Sequence, residues 1–240
     1  MALQRNLRAG GAIALALACA PAMAEDFSSI RTLPQSEFRA LSEDLGAAFA
    51  YRGITPATPL GVLGFDVGVG LTSTSVEHSS ALQRAGAGSR STLLIPKLHV
   101  HKGLFGRLDV GAFVGGATQV DATLYGLEVR YAFIDDTLTT PALGLRLAGT
   151  RTSGTGDLRF TTGSADLVIS KKLAVVTPYA GGGVVRVSSK VSGSFLEEER
   201  FDRTRAFIGV NLNLLAANLA LEAEKMGDNT SLSAKLGWRF

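Results

Sequence analysis

The chain has 240 residues, of which 46% are hydrophobic and 28 are glycine, and 24 Lys and Arg residues nearly balance 21 Asp and Glu residues. This balance, without a basic run interleaved with aromatic residues, excludes a nucleic-acid-binding protein. The only cysteine, Cys19, lies in the leader described next. Removal of that leader therefore excludes disulfides, thiolate metal sites and a cysteine nucleophile.

Residues 1–24 have the pattern of a secretory signal peptide. Arg5 and Arg8 form a basic start, Ala9–Ala20 is apolar, and Ala22-Met23-Ala24 is a typical cleavage site. The apolar stretch is too short to span a bilayer. A lipid-anchored alternative would use Cys19, but the three residues before it lack the usual leading Leu. The pattern predicts export.

Residues 25–60 are predicted to form a separate N-terminal segment that contains one helix. Apolar residues recur at helical spacing in "PQSEFRALSEDLGAAFAYR", residues 34–52. Pro34 suits the first turn, and Gly53 and Pro56 predict the end of the helix. Such a short helix needs a surface to pack against. The apolar face comprises Phe38, Leu41, Leu45 and Ala48, with Phe49 beside it.

Two locations for this helix remain open. It could lie on the inner leaflet as an interfacial helix, or it could fill the lumen of the barrel described next. Its acidic face, which has no lysine, disfavours a negatively charged leaflet. Gly64, Gly68 and Gly70 would leave room for a helix inside the barrel. These features favour a plug in the lumen.

Residues 61–240 show a dominant period of two, which predicts about ten strands within a range of eight to twelve. One face of each strand carries large aliphatic residues, and the other carries Gly, Ala and single charges. A soluble sandwich would more often present larger polar residues outward. The pattern predicts an all-β protein, a closed antiparallel transmembrane β-barrel with lipid outside and a narrow polar lumen inside. The predicted strands lie at 63–71, 92–101, 107–116, 123–133, 142–150, 157–170, 175–189, 204–215, 219–224 and 231–240.

The connections between these strands alternate in length. Residues 73–91 and 190–203 form two long connections, and both fall at the same end of the predicted barrel. The connections at the other end are short. Outer-membrane barrels have long loops on the cell surface and short turns in the periplasm, so this asymmetry predicts the orientation.

The last residues, "AKLGWRF", resemble the C-terminal assembly signal of Gram-negative outer-membrane β-barrel proteins. Trp238 and Phe240 alternate with polar or small residues and end the strand on an aromatic. The glycine of the fuller pattern would fall at Lys235, whereas Gly237 lies two positions later. The resemblance implies residence in the cell outer membrane and recognition by the outer-membrane insertion machinery. It also implies that the last strand closes the barrel against the first.

Parity along the strands predicts which charged and titratable side chains face the lumen. They could select polar solutes, or they could neutralise one another as salt bridges. The balanced signs and the narrow lumen favour mutual neutralisation. The predicted lumen-facing residues are Asp66, Lys97, His99, His101, Asp109, Glu128, Arg130, Arg146, Glu222, Lys235 and Arg239.

One pair among these residues could carry chemistry. A turn at residues 102–106 would place His99 opposite Asp109, and a His–carboxylate pair is half of a nucleophilic triad. No serine lies on the same hairpin, so a hydrogen-bonded lumen pair is the favoured interpretation. At the last hairpin, a four-residue turn at 227–230 would place Glu222 opposite Lys235.

Three functions remain as hypotheses. The first is a small, gated, porin-like channel that transports small solutes. The second is a structural or surface-interaction barrel with a closed lumen. The third, a lipid-modifying enzyme, rests only on His99 and Asp109, so we expect a protein that is not an enzyme. No motif for a metal or cofactor is present. The expected partners are outer-membrane lipid and lipopolysaccharide, whose phosphates could meet the charged loop 197–200.

Overall fold

A computed structural model describes residues 27–117, 120–215 and 217–240, so the predicted signal peptide lies outside the described residues. Ten antiparallel strands form one closed barrel in which each strand pairs with its neighbours in sequence and the first pairs with the last. The predicted fold class is therefore confirmed. The strands are β1 Phe65–Ser75, β2 Thr92–Gly103, β3 Leu108–Ala117, β4 Ala122–Ile134, β5 Ala142–Ser153, β6 Leu158–Ser170, β7 Val176–Val191, β8 Glu199–Leu214, β9 Ala217–Met226 and β10 Asn229–Arg239.

Within the part of the chain that the structure describes, helical structure is confined to the N-terminal segment and the first connection. A 3-10 turn at Ile30–Thr32 precedes helix α1, Gln35–Phe49. Helix α2, Ser79–Leu82, continues into a five-residue π-helical turn, Gln83–Ala87. Among the described residues, no helix has both the length and the apolar character needed to cross a bilayer.

The barrel is apolar outside and charged inside, which reverses the arrangement of a soluble protein. Outward side chains such as Leu127, Ile208 and Leu232 are between 61% and 71% exposed, whereas inward charges such as Asp66 and Arg130 are at most 1% exposed. Outer-membrane β-barrels have this arrangement because their outer surface contacts hydrocarbon. The chain is a closed β-barrel with an apolar exterior and a charged interior, as its sequence predicts.

One end of the barrel carries a girdle of exposed aromatic residues, typical of a membrane interface. This end holds the short turn 104–107, and the opposite end holds the longest connection, 76–91. We therefore take the girdle end as periplasmic and the opposite end as the outer mouth. The second predicted long loop is shorter than expected, because β7 and β8 extend until only residues 192–198 connect them. The girdle comprises Phe105, Tyr131, Phe133, Trp238 and Phe240.

The register of the β2–β3 hairpin differs from the prediction. Its turn is centred on residue 106 rather than on residue 104, and Gly106 provides the positive φ of 62° that the turn requires. His99 consequently lies opposite Phe113, and Asp109 lies opposite Gly103. The predicted His99–Asp109 pairing is wrong by four residues.

The last hairpin also differs. Its turn contains only Gly227 and Asp228, with Gly227 at a φ of 56°, rather than four residues. Glu222 therefore lies opposite Ser233, and Lys235 lies opposite Ala220. The predicted Glu222–Lys235 pairing is wrong by two residues, because a two-residue turn brings the strands together earlier.

Residues 34–60, which we name the plug segment, lie inside the barrel. Near the outer mouth, the Asp44 carboxylate accepts a hydrogen bond of 2.7 Å from Asn229, which follows the β9–β10 turn. At the periplasmic end, the Leu60 N–H donates to Asp109, near the start of β3, at 3.1 Å. From Asp44 to its end at Phe49, every residue of α1 is buried, and Ser42 on the polar face is buried as well. The plug segment thus runs the length of the lumen.

Residues 27–33 lie at the outer mouth, before the plug segment. The Ser29 N–H donates to the Ala85 carbonyl at 3.1 Å, and Arg31 pairs with Asp157 of the β5–β6 turn at 2.5 Å. Since β1 begins at the periplasmic end, the chain passes inward through the lumen before its first strand starts.

This route makes a prediction about accessibility on intact cells. A cysteine at Ser28, which is exposed at the outer mouth, should react with a bulky, membrane-impermeant maleimide. A cysteine at Leu138, which is 99% exposed in the periplasmic β4–β5 turn, should react only after the outer membrane is permeabilised. Equal protection of both positions on intact cells would contradict the route.

Candidate functional site: the filled lumen

The structure places all of the sequence-predicted lumen residues on the inward face of the barrel. Ten are buried, and Arg239 is partly buried at the periplasmic end. The buried residues are Asp66, Lys97, His99, His101, Asp109, Glu128, Arg130, Arg146, Glu222 and Lys235.

Most of these charges are paired with one another. Lys235 lies 2.9 Å from Asp66, and Arg130 lies 2.6 Å from Asp109. Glu128 lies 3.2 Å from His101 and 3.3 Å from Arg146. Buried charges remain charged only when they are paired and hydrogen-bonded. These contacts are internal salt bridges, and they neutralise the charges that face the lumen.

Other inward residues have weaker polar contacts. The Lys97 Nζ lies 4.8 Å from the centroid of the Phe113 ring. The His99 and His101 rings are stacked, with their centroids 6.0 Å apart. Asp109 pairs with an arginine instead of His99, so the half-triad on which the enzyme hypothesis rested does not form. Within the described parts of the chain, no three His, Asp or Glu side chains are grouped as a metal site would require.

Two arginines that the sequence analysis did not single out connect the plug segment to the wall. Arg52, which lies three residues after the end of α1, has a side chain with no exposed area and lies 2.7 Å from Glu224. It also donates to Ser231 at 2.8 Å. Arg205 of β8 binds Asp166 of β6 through two nitrogens. Its inward position follows from its alternation with neighbouring residues, but its partner lies on another strand.

Below α1 the plug segment is extended, and wall side chains satisfy its backbone. Arg205 donates to the Tyr51 carbonyl at 2.7 Å, and Arg146 donates to the Thr55 carbonyl at 3.0 Å. The Arg130 guanidinium reaches the Pro56 carbonyl at 3.1 Å, and Ser170 accepts from the Ala57 N–H at 3.1 Å. An extended chain cannot satisfy these groups itself, so the wall supplies the partners that burial requires.

Inward glycines make room for wall side chains. A Cβ at Gly126 would lie 2.1 Å from the Phe113 ring, and one at Gly209 would lie 2.3 Å from the Tyr179 ring. On β1, a Cβ at Gly70 would first meet His99 at 3.2 Å. Of the glycines predicted to accommodate the helix, Gly68 and Gly70 therefore accommodate neighbouring strands, whereas a Cβ at Gly64 would meet the Leu60 carbonyl of the plug segment.

Gly53, within the plug segment, has a different constraint. A Cβ at this position would lie 2.8 Å from the Glu128 carboxylate and 3.2 Å from the Arg146 guanidinium. The extended segment can therefore pass this buried ion pair only where it has no side chain.

Ion pairs hold the first turns of α1 at the outer mouth. Arg39 lies 2.9 Å from Glu43 and 3.0 Å from Glu199 of β8, and Arg203 also pairs with Glu43. Partial burial alone would raise the pKa of Glu43, but hydrogen bonds from Arg39 and Arg203 bring it below its ordinary value. The Arg39 guanidinium also lies 3.9 Å from the centroid of the Phe201 ring. These contacts fix the helix to the β7–β8 side of the mouth.

Comparison with known proteins adds no functional information. No protein-family model matches the chain, and no curated protein sequence matches it. Among solved structures, the attachment invasion locus protein Ail of Yersinia pestis is similar at 14% identity and a TM-score of 0.30, over 74% of this chain and 97% of Ail. Neisserial surface protein A is similar at 13% identity and a TM-score of 0.29, over 74% of this chain and 96% of its own. Likeness at this level does not bear on activity.

The buried Arg52–Glu224 pair makes a prediction about stability. Arg52→Ala should destabilise the folded barrel by about 3–5 kcal/mol, because it removes a buried ion-pair partner. The measurement is the free energy of urea unfolding in lipid vesicles.

Arg107→Ala is the matched control for this measurement. It removes an arginine that is 45% exposed at the periplasmic end and should change stability by less than about 1 kcal/mol. In the double variant Arg52→Ala/Glu224→Ala, the loss should be smaller than the sum of the single losses. A loss for Arg52→Ala no larger than that of the control would contradict the role of the pair.

Proposed function

We propose that this chain is an outer-membrane barrel with a closed lumen, which acts through its outer surface rather than as a pore. The observation that carries the proposal is the plug segment, whose helix and extended part occupy the lumen from the outer mouth to the periplasmic end. The described residues contain neither an open path for a solute through the lumen nor a set of unpaired charges that could select one.

The energy of removing the plug segment supports a closed state. Phe38, Leu41, Leu45, Phe49 and Tyr51 are each at most 1% exposed inside the barrel. Transferring these side chains to water would cost on the order of 10 kcal/mol before any polar contact is broken. Each factor of ten in population corresponds to about 1.4 kcal/mol. A withdrawn plug would therefore be populated in far fewer than about one molecule in a million.

The charge balance of the lumen also favours this function over a channel. A selective channel holds charges of one sign along a hydrated path. Here most of the inward arginines and lysines lie at ion-pair distance from a carboxylate. These carboxylates are Asp66, Asp109, Glu128, Asp166 and Glu224. Mutual neutralisation serves stability and gives no preference for one class of solute.

The outer mouth offers surface for interaction. The connection 76–91 folds over residues 27–33, and its helices bury Ala81, Leu82 and Ala85 against the mouth. At the tip of the β7–β8 connection, Phe195 is fully exposed. An ordered rim with an exposed aromatic residue is suited to contacts with other molecules.

A reversible lock on the plug segment tests the proposal. The hydroxyl oxygens of Ser42 on α1 and Ser189 on β7 lie 2.9 Å apart, so Ser42→Cys/Ser189→Cys should form a disulfide in the mature chain. Wild type, oxidised variant and reduced variant should all lack steady conductance in planar bilayers. Vesicle flotation verifies insertion, and a general porin verifies the assay.

Two outcomes would contradict a closed barrel. Conductance that disappears on oxidation and returns on reduction would identify a gated channel. Conductance that persists in the oxidised variant would mean that the plug segment does not seal the lumen.

A further inference from the structure

The outer wall of the barrel carries a cationic patch formed by Arg151, Arg159, Arg186, Lys190 and Arg200, on the adjacent strands β5 to β8. All five side chains are exposed and point outward from the wall. Arg159 lies directly opposite Lys190. In a second row across the sheet, each residue lies opposite the next, in the order Arg200, Ser188, Thr161 and Arg151. Four neighbouring strands span about 15 Å, so the five cations lie close together.

The patch carries more positive charge than the protein neutralises. Arg186 forms a two-nitrogen contact with Asp202, both bonds at 2.8 Å, and Arg200 binds Glu198 at 2.8 Å. Within the described residues, no carboxylate forms an ion pair with Arg151, Arg159 or Lys190. Like charges directly opposite each other on a sheet are destabilising. Glu198 also acts electrostatically on Lys190, but Arg200 already binds it, so an anion from outside the chain would stabilise the Arg159–Lys190 pair.

The height of the patch identifies where that anion resides. On β7, Val184 is 44% exposed and lies two residues below Arg186, and on β6 and β5 the exposed Leu167 and Leu147 also lie below the cations. The patch thus begins where the apolar surface ends, on the side of the outer mouth. Its side chains point sideways into the membrane interface, so a ligand bound there must itself lie in the outer leaflet.

The wall just below the cations is shaped for a large lipid. Small outward residues there lie among Leu147, Leu167 and Val184, and some of them face one another on adjacent strands, so the lipid can approach the backbone closely. At the height of the cations themselves, a concavity of about 450 Å³ is lined by Arg186, Ser188, Arg200, Phe201 and Asp202. The small residues are Gly149, Gly163, Ala165, Gly182 and Ala206.

We infer that the cationic patch binds the phosphate groups of an outer-leaflet glycolipid, with the acyl chains lying on the small-residue wall below. Arginine and lysine beside the membrane surface bind phosphate oxygens through charge-assisted hydrogen bonds. Thr161, between the cations, adds a hydroxyl donor, whereas the Ser188 hydroxyl already donates to Glu198 at 2.8 Å. This site is on the outer wall and is independent of whether the lumen conducts.

The test is a titration of the purified, folded chain in detergent with bis-phosphorylated lipid A, followed by native mass spectrometry. Wild type should bind lipid A with an affinity that falls as salt is raised. Arg159→Gln/Lys190→Gln should bind it about tenfold or more weakly. The matched control, Arg107→Gln/Lys172→Gln, removes one exposed arginine and one exposed lysine at the periplasmic end and should bind as wild type does.

Three results would overturn the inference. The first is equal lipid A affinity in wild type and Arg159→Gln/Lys190→Gln, with both folded by heat-modifiability on gels. The second is equal affinity of wild type for lipid A and for its dephosphorylated form. The third is binding of inorganic phosphate as tight as that of lipid A, which would identify a site for free anions.

Discussion

The structure depends on one constraint, which is that a charge buried in a narrow barrel is costly unless it is paired. Apart from Lys97, whose Nζ lies beside the Phe113 ring, each buried inward Arg or Lys contacts a carboxylate, a carbonyl or a hydroxyl. The wall supplies some of these partners, as in the Lys235–Asp66 pair. The plug segment supplies others, through the carbonyls of Tyr51, Thr55 and Pro56. In return, Glu224 of the wall pairs with Arg52 of the plug segment. The wall and the plug segment therefore form a single polar core, and neither is complete without the other.

This shared core separates the two surfaces of the protein. The inside is neutral, packed and occupied, so its chemistry is directed at the protein itself. The outside has bulky apolar residues at mid-height, an aromatic girdle at the periplasmic end and unneutralised cations near the outer mouth. Features that could recognise another molecule thus lie on the rim and the outer wall, which is why both proposals concern those surfaces.

The strands and their faces could be predicted from the sequence, but cross-strand partners could not. Alternation determines whether a side chain points inward, and a register error of two or four residues leaves that direction unchanged. His99 and Glu222 consequently face the lumen although both predicted partners were wrong, because turn length determines the register. The helix was readable from its apolar spacing, whereas the Arg52–Glu224 contact joins positions 172 residues apart. No local pattern contains such a contact.

The path of the plug segment has a consequence for biogenesis. Its N-terminal end lies at the outer mouth of the barrel, whose lumen it fills, and its C-terminal end leads into β1 at the periplasmic end. A bulky peptide, with a helix and buried arginines, does not slide through a sealed cylinder of this width. Strands β1 and β10 must therefore pair around a plug segment that is already in place, so the segment enters the lumen before the barrel closes.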